Sequence, residues 1–202
     1  YRLNVTGNIL QDIFPDCETD GEGAECYGEG AEAIGNFTTA IGAKAKAVTD
    51  SDPDEDDADF HDFGATALGY NANASGPDST AIGRKASASG ASSTSIGESS
   101  RAQKQGSIAI GHLANAESER TIAIGSGSTA NAKCAMAVGW NANATAENAI
   151  ALGYTANALA ANSTAIGTSA AATGNRSMAF GASATASEQN SVAIGTAAKA
   201  TG

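Results

Sequence analysis

The chain has 202 residues, with 22 acidic against 11 basic side chains and a formal net charge of −11. Phosphate binding needs the opposite sign, so nucleic acid is excluded as the natural partner; no apolar run reaches the roughly 18 residues that a spanning helix needs. Apolar residues make up 42% of the chain but aromatics only 5%, and Gly and Ala are abundant, which does not suit a globular core built on Leu and Phe.

Residues 1–27 carry the bulkiest apolar cluster outside the rest of the pattern: Leu3, Val5, Ile9, Leu10, Ile13 and Phe14. A repeat array needs its end covered, because an open strand edge recruits further chains. The segment is expected either to cap its own array or to dock onto a neighbouring subunit. Cys17 and Cys26 stand nine residues apart in a Gly- and acid-rich stretch. With no His or further Cys nearby they are a poor zinc site, and a disulfide is the expected state outside the cell. Cys134 is left over as a free thiol at a turn position, where Asn148, Asn162 and Asn190 stand in later units.

From residue 28 to 202 the chain is an array. Gly69, Gly83, Gly97, Gly111, Gly125, Gly139, Gly153, Gly167, Gly181 and Gly195 follow one another at a spacing of fourteen, and Gly28 and Gly42 extend the series upstream. Each of the ten is preceded by a bulky apolar residue: Leu68, Ile82, Ile96, Ile110, Ile124, Val138, Leu152, Ile166, Phe180 and Ile194. Fixed self-similarity of this kind marks a stacked repeat. Fourteen residues is two heptads, yet a coiled coil fails, because every unit would place Gly in a helix interior and the seams lack Leu and Ile. The apolar residues alternate instead, the period of strands. The pattern predicts an all-β parallel β-roll, or solenoid, of about twelve coils, roughly 55–60 Å long at about 4.8 Å per coil.

Within such a narrow roll, two short strands per coil leave room inside for little beyond Ala, Ser and Gly. If the Ala side lines the interior, the ten bulky residues form a stripe outside it. Parallel strands that are apolar on both faces are normally covered on both, so that stripe predicts a cyclic oligomer, for which three chains is the simplest closed arrangement.

The insertion at 49–64, TDSDPDEDDADFHDFG, interrupts the period between Gly42 and Gly69. Asp50, Asp52, Asp54 and Asp56 alternate there. Alternating carboxylates suit Ca²⁺, although the Gly and distant Glu of an EF-hand loop are missing. A solvated acidic loop, a Ca²⁺ site and a loop for a basic partner all remain open; no cofactor is required. Beyond it, the residue after each Gly varies, from Tyr70 and Arg84 to Trp140 and Tyr154. The aromatic ones form either a contact surface or simple edge packing. Asn-x-Ser/Thr sequons recur, as at Asn4 and Asn162, and matter only if the producing cell glycosylates.

The units NSVAIGTAAKATG at 190–202, NSTAIGTSAAATG at 162–174 and DSTAIGRKASASG at 78–90 closely resemble the head repeat of YadA-like trimeric autotransporter adhesins. The resemblance covers 28–202 and implies a left-handed β-roll, a homotrimer and display at the cell surface or outside the cell, with cells or extracellular matrix as the partner class. It leaves the ligand unnamed. Two scattered histidines and serines without a base give no catalytic constellation, so an enzyme is not expected. The leading expectation is an adhesive head. The alternative is a structural subunit of an extracellular filament or biofilm matrix, polymerising end to end through its N-terminal segment. A phage tail-fibre tip is a third reading; ice binding ranks last, for want of a regular Thr-x-Thr ladder. The chain reads either as part of a longer adhesin or as a stand-alone protein that uses the same repeat.

Overall fold

A computed structural model describes residues 17–49 and 64–201. The described chain is all β, with no helix. It opens with β1 (Glu18–Asp20), β2 (Glu25–Tyr27), β3 (Glu32–Ile34), β4 (Thr39–Ile41), β5 (Lys46–Val48) and β6 (Thr66–Leu68), and the alternation continues to Val192–Ile194 and Lys199–Ala200. Odd strands form one parallel sheet of 13 and even strands a second of 12, each strand pairing with its equivalents one coil away. About twelve coils are stacked in this way.

Register is held without a slip. Thr80 pairs with Thr94 and Thr94 with Ile108, while Ala81, Ser95 and Ala109 stack beside them. The acidic insertion leaves the register unbroken: Thr39 still pairs with Thr66 across it, and Lys46 with Asn73.

The interior explains the composition. Each coil points four small residues inward, such as Ser79, Ala81, Ala86 and Ala88, all essentially without solvent contact. Among the described residues the largest fully buried side chain is Thr, at Thr38 and Thr121. Several buried hydroxyls close the local turn: Thr38 Oγ1 donates to the Gly35 carbonyl at 2.9 Å, and Ser128 Oγ to that of Gly125 at 2.8 Å. Ser95 and Ser100 pair across the interior at 2.7 Å.

Inward residues recur every seven positions, whereas the corner glycine recurs every fourteen, and the two corners of each coil account for the difference. At the first corner the chain bends at a glycine such as Gly97, with φ 127°. A Cβ there would sit 2.7 Å from the Gly111 carbonyl carbon and 2.6 Å from its oxygen in the next coil. At the second corner the equivalent bend is made by Lys104, Ser118, Ala132, Ala146 and Ala160, so glycine is not required. Both corners continue into a β-turn with one left-handed residue, as at Lys44 (φ 57°) and Cys134 (φ 58°).

The array begins earlier than Gly28. Strands β1 and β2 lie within 1–27, the segment expected to cap its own array or dock onto a neighbour, and they pair in register with β3 and β4. Cys17 and Cys26 occupy inward columns that Ala31 and Ala40 continue one coil on, and a disulfide joins them with the Cα atoms 6.1 Å apart. The bridge therefore links the two walls inside the first coil of the roll. Leu3, Val5, Ile9, Leu10, Ile13 and Phe14, together with Asp50, Asp52, Asp54 and Asp56, lie outside the described residues.

Substituting Gly97 by Ala should destabilise the roll by about 3 kcal/mol or more, because left-handed strain is added to a clash with the next coil's backbone. Gly106→Ala should cost only about 1 kcal/mol; there φ is 63° and the nearest atom to a new Cβ is Arg120 Cγ at 3.8 Å. Urea denaturation followed by circular dichroism measures both, and equal losses would refute the backbone-contact explanation.

Candidate interaction surfaces

Among the described residues the interior is filled by Ala, Ser and Thr side chains, so the outer faces and corners carry the variable chemistry. The ten-residue stripe from Leu68 to Ile194 stands on the outer face of the 12-stranded sheet, the strand carrying its Ala inward between two outward neighbours. Exposure runs from half-buried at most positions to 41% at Leu68 and 71% at Ile194.

A second outward column runs beside the stripe. From Ile108 to Leu152 it too is bulky: Ile108, Ile122, Met136 and Ile150 flank Ile110, Ile124, Val138 and Leu152. The central coils thus carry an apolar band two residues wide. Thr66, Thr80 and Thr94 narrow it on the N-terminal side, and Thr164 interrupts it once before Met178 and Val192 restore it beside Phe180 and Ile194. Both columns follow from the strand alternation, since their residues stand two apart on the same strands.

The outer face of the 13-stranded sheet is mostly polar, with Ile34, Val48 and Leu159 as its bulky apolar exceptions. Lys46 Nζ pairs with Glu32 Oε1 at 2.6 Å on adjacent coils, and Asn115 Nδ2 donates to Glu117 Oε1 at 2.7 Å. Exposed pairs of this sort contribute little to stability, so the polarity marks a wetted face.

The first corner carries a ladder of one variable residue per coil. Arg84 and Glu98 form an ion pair there. Further along, Trp140 and Tyr154 stack with centroids 4.7 Å apart and planes 12° from parallel. Tyr70, grouped with them in the sequence reading, stands at the same corner several coils away and is not brought to the pair. At the second corner Lys133 Nζ lies 3.6 Å from Glu119 Oε2, and Asn148 Nδ2 donates to Asn162 Oδ1 at 3.3 Å. Cys134 is an exposed free thiol in this row. Among the described residues no three His, Cys, Asp or Glu side chains gather as a metal site, and no helix is long and apolar enough to cross a membrane.

A stack of identical coils, small inside, apolar along one outer sheet and mostly polar along the other, defines a repeat scaffold that presents surfaces. The "YadA head domain repeat (2 copies)" matches residues 63–86, 88–114, 102–128, 116–142, 130–156, 144–170, 172–198 and 186–202. The chain belongs to that family, the head repeats of YadA-like adhesins. No curated protein matches the chain. Among solved structures, the collagen-binding domain of the Yersinia adhesin YadA is similar, with a TM-score of 0.44 and 25% identity over 86% of this chain and 72% of that one.

The turn geometry makes a further prediction. Asn tolerates the left-handed region better than other non-glycine residues, and it already stands at Asn148 and Asn162 (φ 56° at both). Cys134→Asn should leave the fold intact and stabilise it by a few tenths of a kcal/mol. In the unreduced native protein a thiol reagent should modify one thiol per chain, and none in the variant; a second reactive thiol would contradict the Cys17–Cys26 bridge.

Proposed function

We propose that the chain is a non-enzymatic adhesive head, a homotrimer displayed at the cell surface that attaches to cells or extracellular matrix. The observation that carries this reading is the contrast between the two outer sheet faces. One is mostly polar and wetted. The other holds Ile108, Ile110, Ile122, Ile124, Ile150 and Leu152 in adjacent coils. Full burial of an Ile-sized side chain stabilises by about 1.5–3 kcal/mol, and a contiguous band of that size marks an interface.

Three rolls with their apolar sheets turned toward a common axis cover the band on every chain at once, leaving the polar sheets and the variable corners outward. Family membership supports the same arrangement. A rigid trimer then displays each surface feature three times, so that contacts weak in one chain act together on a repetitive matrix.

Light scattering across a dilution series tests the assembly: the expected mass is that of three chains throughout. Ile124→Asp, which puts a charge in the middle of the band, should give monomers, whereas Asn143→Asp on the polar sheet should remain trimeric. A monomeric parent chain at every concentration would overturn the trimer. Attachment is tested by flowing the parent protein over a panel of immobilised matrix proteins, collagen included; retention should fall at least tenfold for the monomeric variant as avidity is lost.

A further inference from the structure

We propose that the stacked pair Trp140 and Tyr154, with the uncharged face beside it, is a binding platform for a neutral glycan chain. The proposal refines the adhesive-head reading by giving the chemical class of a ligand for one corner of the roll. It begins from the rings. Trp140 is 46% and Tyr154 53% exposed, a large area of aromatic carbon for wetted positions. They occupy the same place on successive coils, since Thr155 N donates to the Trp140 carbonyl at 2.8 Å. Their centroid separation of 4.7 Å matches the coil spacing of about 4.8 Å, so the rings stack along the roll axis.

Beyond the face they share, the rings are flanked by small residues of the neighbouring coils. On the far side of Trp140 the preceding coil offers Ser126 and Gly127, with Asn141 N donating to the Ser126 carbonyl at 2.9 Å. On the far side of Tyr154 the next coil offers Thr168 and Ser169, with Ser169 N donating to the Tyr154 carbonyl at 2.8 Å. The ladder therefore has a ring pair bounded by a low step at either end. A pyranose ring standing on such a step sets its apolar C–H face against the far aromatic face.

The charge pattern selects the class of ligand. The chain carries 22 acidic and 11 basic residues, yet none falls on this corner or on the adjoining polar sheet from Ser126 to Ser187. What stands there is mostly amide and hydroxyl: Thr129, Asn143, Thr145, Asn157 and Thr173 on the sheet, with Leu159 and Ala171 the apolar exceptions, and Asn141 and Thr155 at the corner. The Asn141 side chain reaches over Gly127, close to where a Cβ would stand on that residue, beside the far face of Trp140. Thr155 Oγ1 and Ser169 Oγ lie 2.9 Å apart. Aromatic carbon beside uncharged donors and acceptors complements a neutral polyhydroxylated chain. An anionic glycan or acidic peptide would find no cation there. Earlier coils differ at the same corner, where Arg84 and Glu98 pair.

Trp140 is the only tryptophan, so its emission reports the site directly in the assembled protein. Cellotetraose, maltotetraose and N-acetylchitotetraose are titrated separately to millimolar concentration. At least one should produce a saturable change in emission, with affinity roughly tenfold weaker in Tyr154→Ala and unchanged in Tyr70→Ala. By calorimetry, Trp140→Ala should lose the binding heat and Trp140→Phe, which keeps a ring, should retain part of it. No saturable response to any of the three sugars would overturn the proposal, as would undiminished binding by Trp140→Ala. A response confined to a triple-helical proline-rich peptide or to a heparin-derived oligosaccharide would also overturn it. The two readings fail separately: retention on matrix proteins with no sugar response sinks only the glycan platform, whereas sugar binding by a chain that stays monomeric sinks only the trimer.

Discussion

Two parallel sheets lie so close together that, through the body of the roll, only Ala, Ser and Thr side chains fit between them. From that closeness the rest of the structure follows. A methyl group buries too little apolar area for an interior of this kind to match the core of a globular domain. Cohesion instead comes from coil upon coil in unbroken register, with ladders of backbone hydrogen bonds between successive strands and each coil in contact only with those beside it. Large apolar side chains have no place inside, so Ile, Leu, Val and Phe face outward on one sheet. The apolar residues that a narrow interior cannot hold stand on an outer face.

The corners divide the labour between scaffold and surface. At the Gly97 corner the backbones of successive coils approach until no Cβ fits, which locks the fourteen-residue spacing. The residue immediately after that glycine is free to vary, because its side chain points away from the stack. The same structural position therefore holds an ion pair between Arg84 and Glu98 and an aromatic stack between Trp140 and Tyr154. Surface chemistry can change from one coil to the next without altering the fold, and identical positions on adjacent coils meet automatically at the strand spacing.

Departures from the repeat are absorbed in ways that respect the same constraint. The acidic insertion leaves from a corner and returns to it, so Ala40 still stacks on Ala67. In the first coil, cysteines stand where later coils carry Ala, and their bridge spans the interior from wall to wall. A covalent link between walls suits the end coil, which has a neighbour on one side only among the described residues.

The period, the strand alternation, the small interior and the outward stripe were legible in the sequence, because each is written into a local pattern that repeats along the backbone. The glycine spacing located the coils and the residue before each glycine located the stripe. Cys17 and Cys26 broke the Ala pattern, and a boundary drawn at Gly28 left the first coil outside the array. Only the stacked structure decided that these two cysteines line the interior and that Trp140 lies flat against Tyr154 while Tyr70 stands apart. Those relations join residues a full coil apart or on opposite walls, and they exist only once the coils have been laid on one another in register.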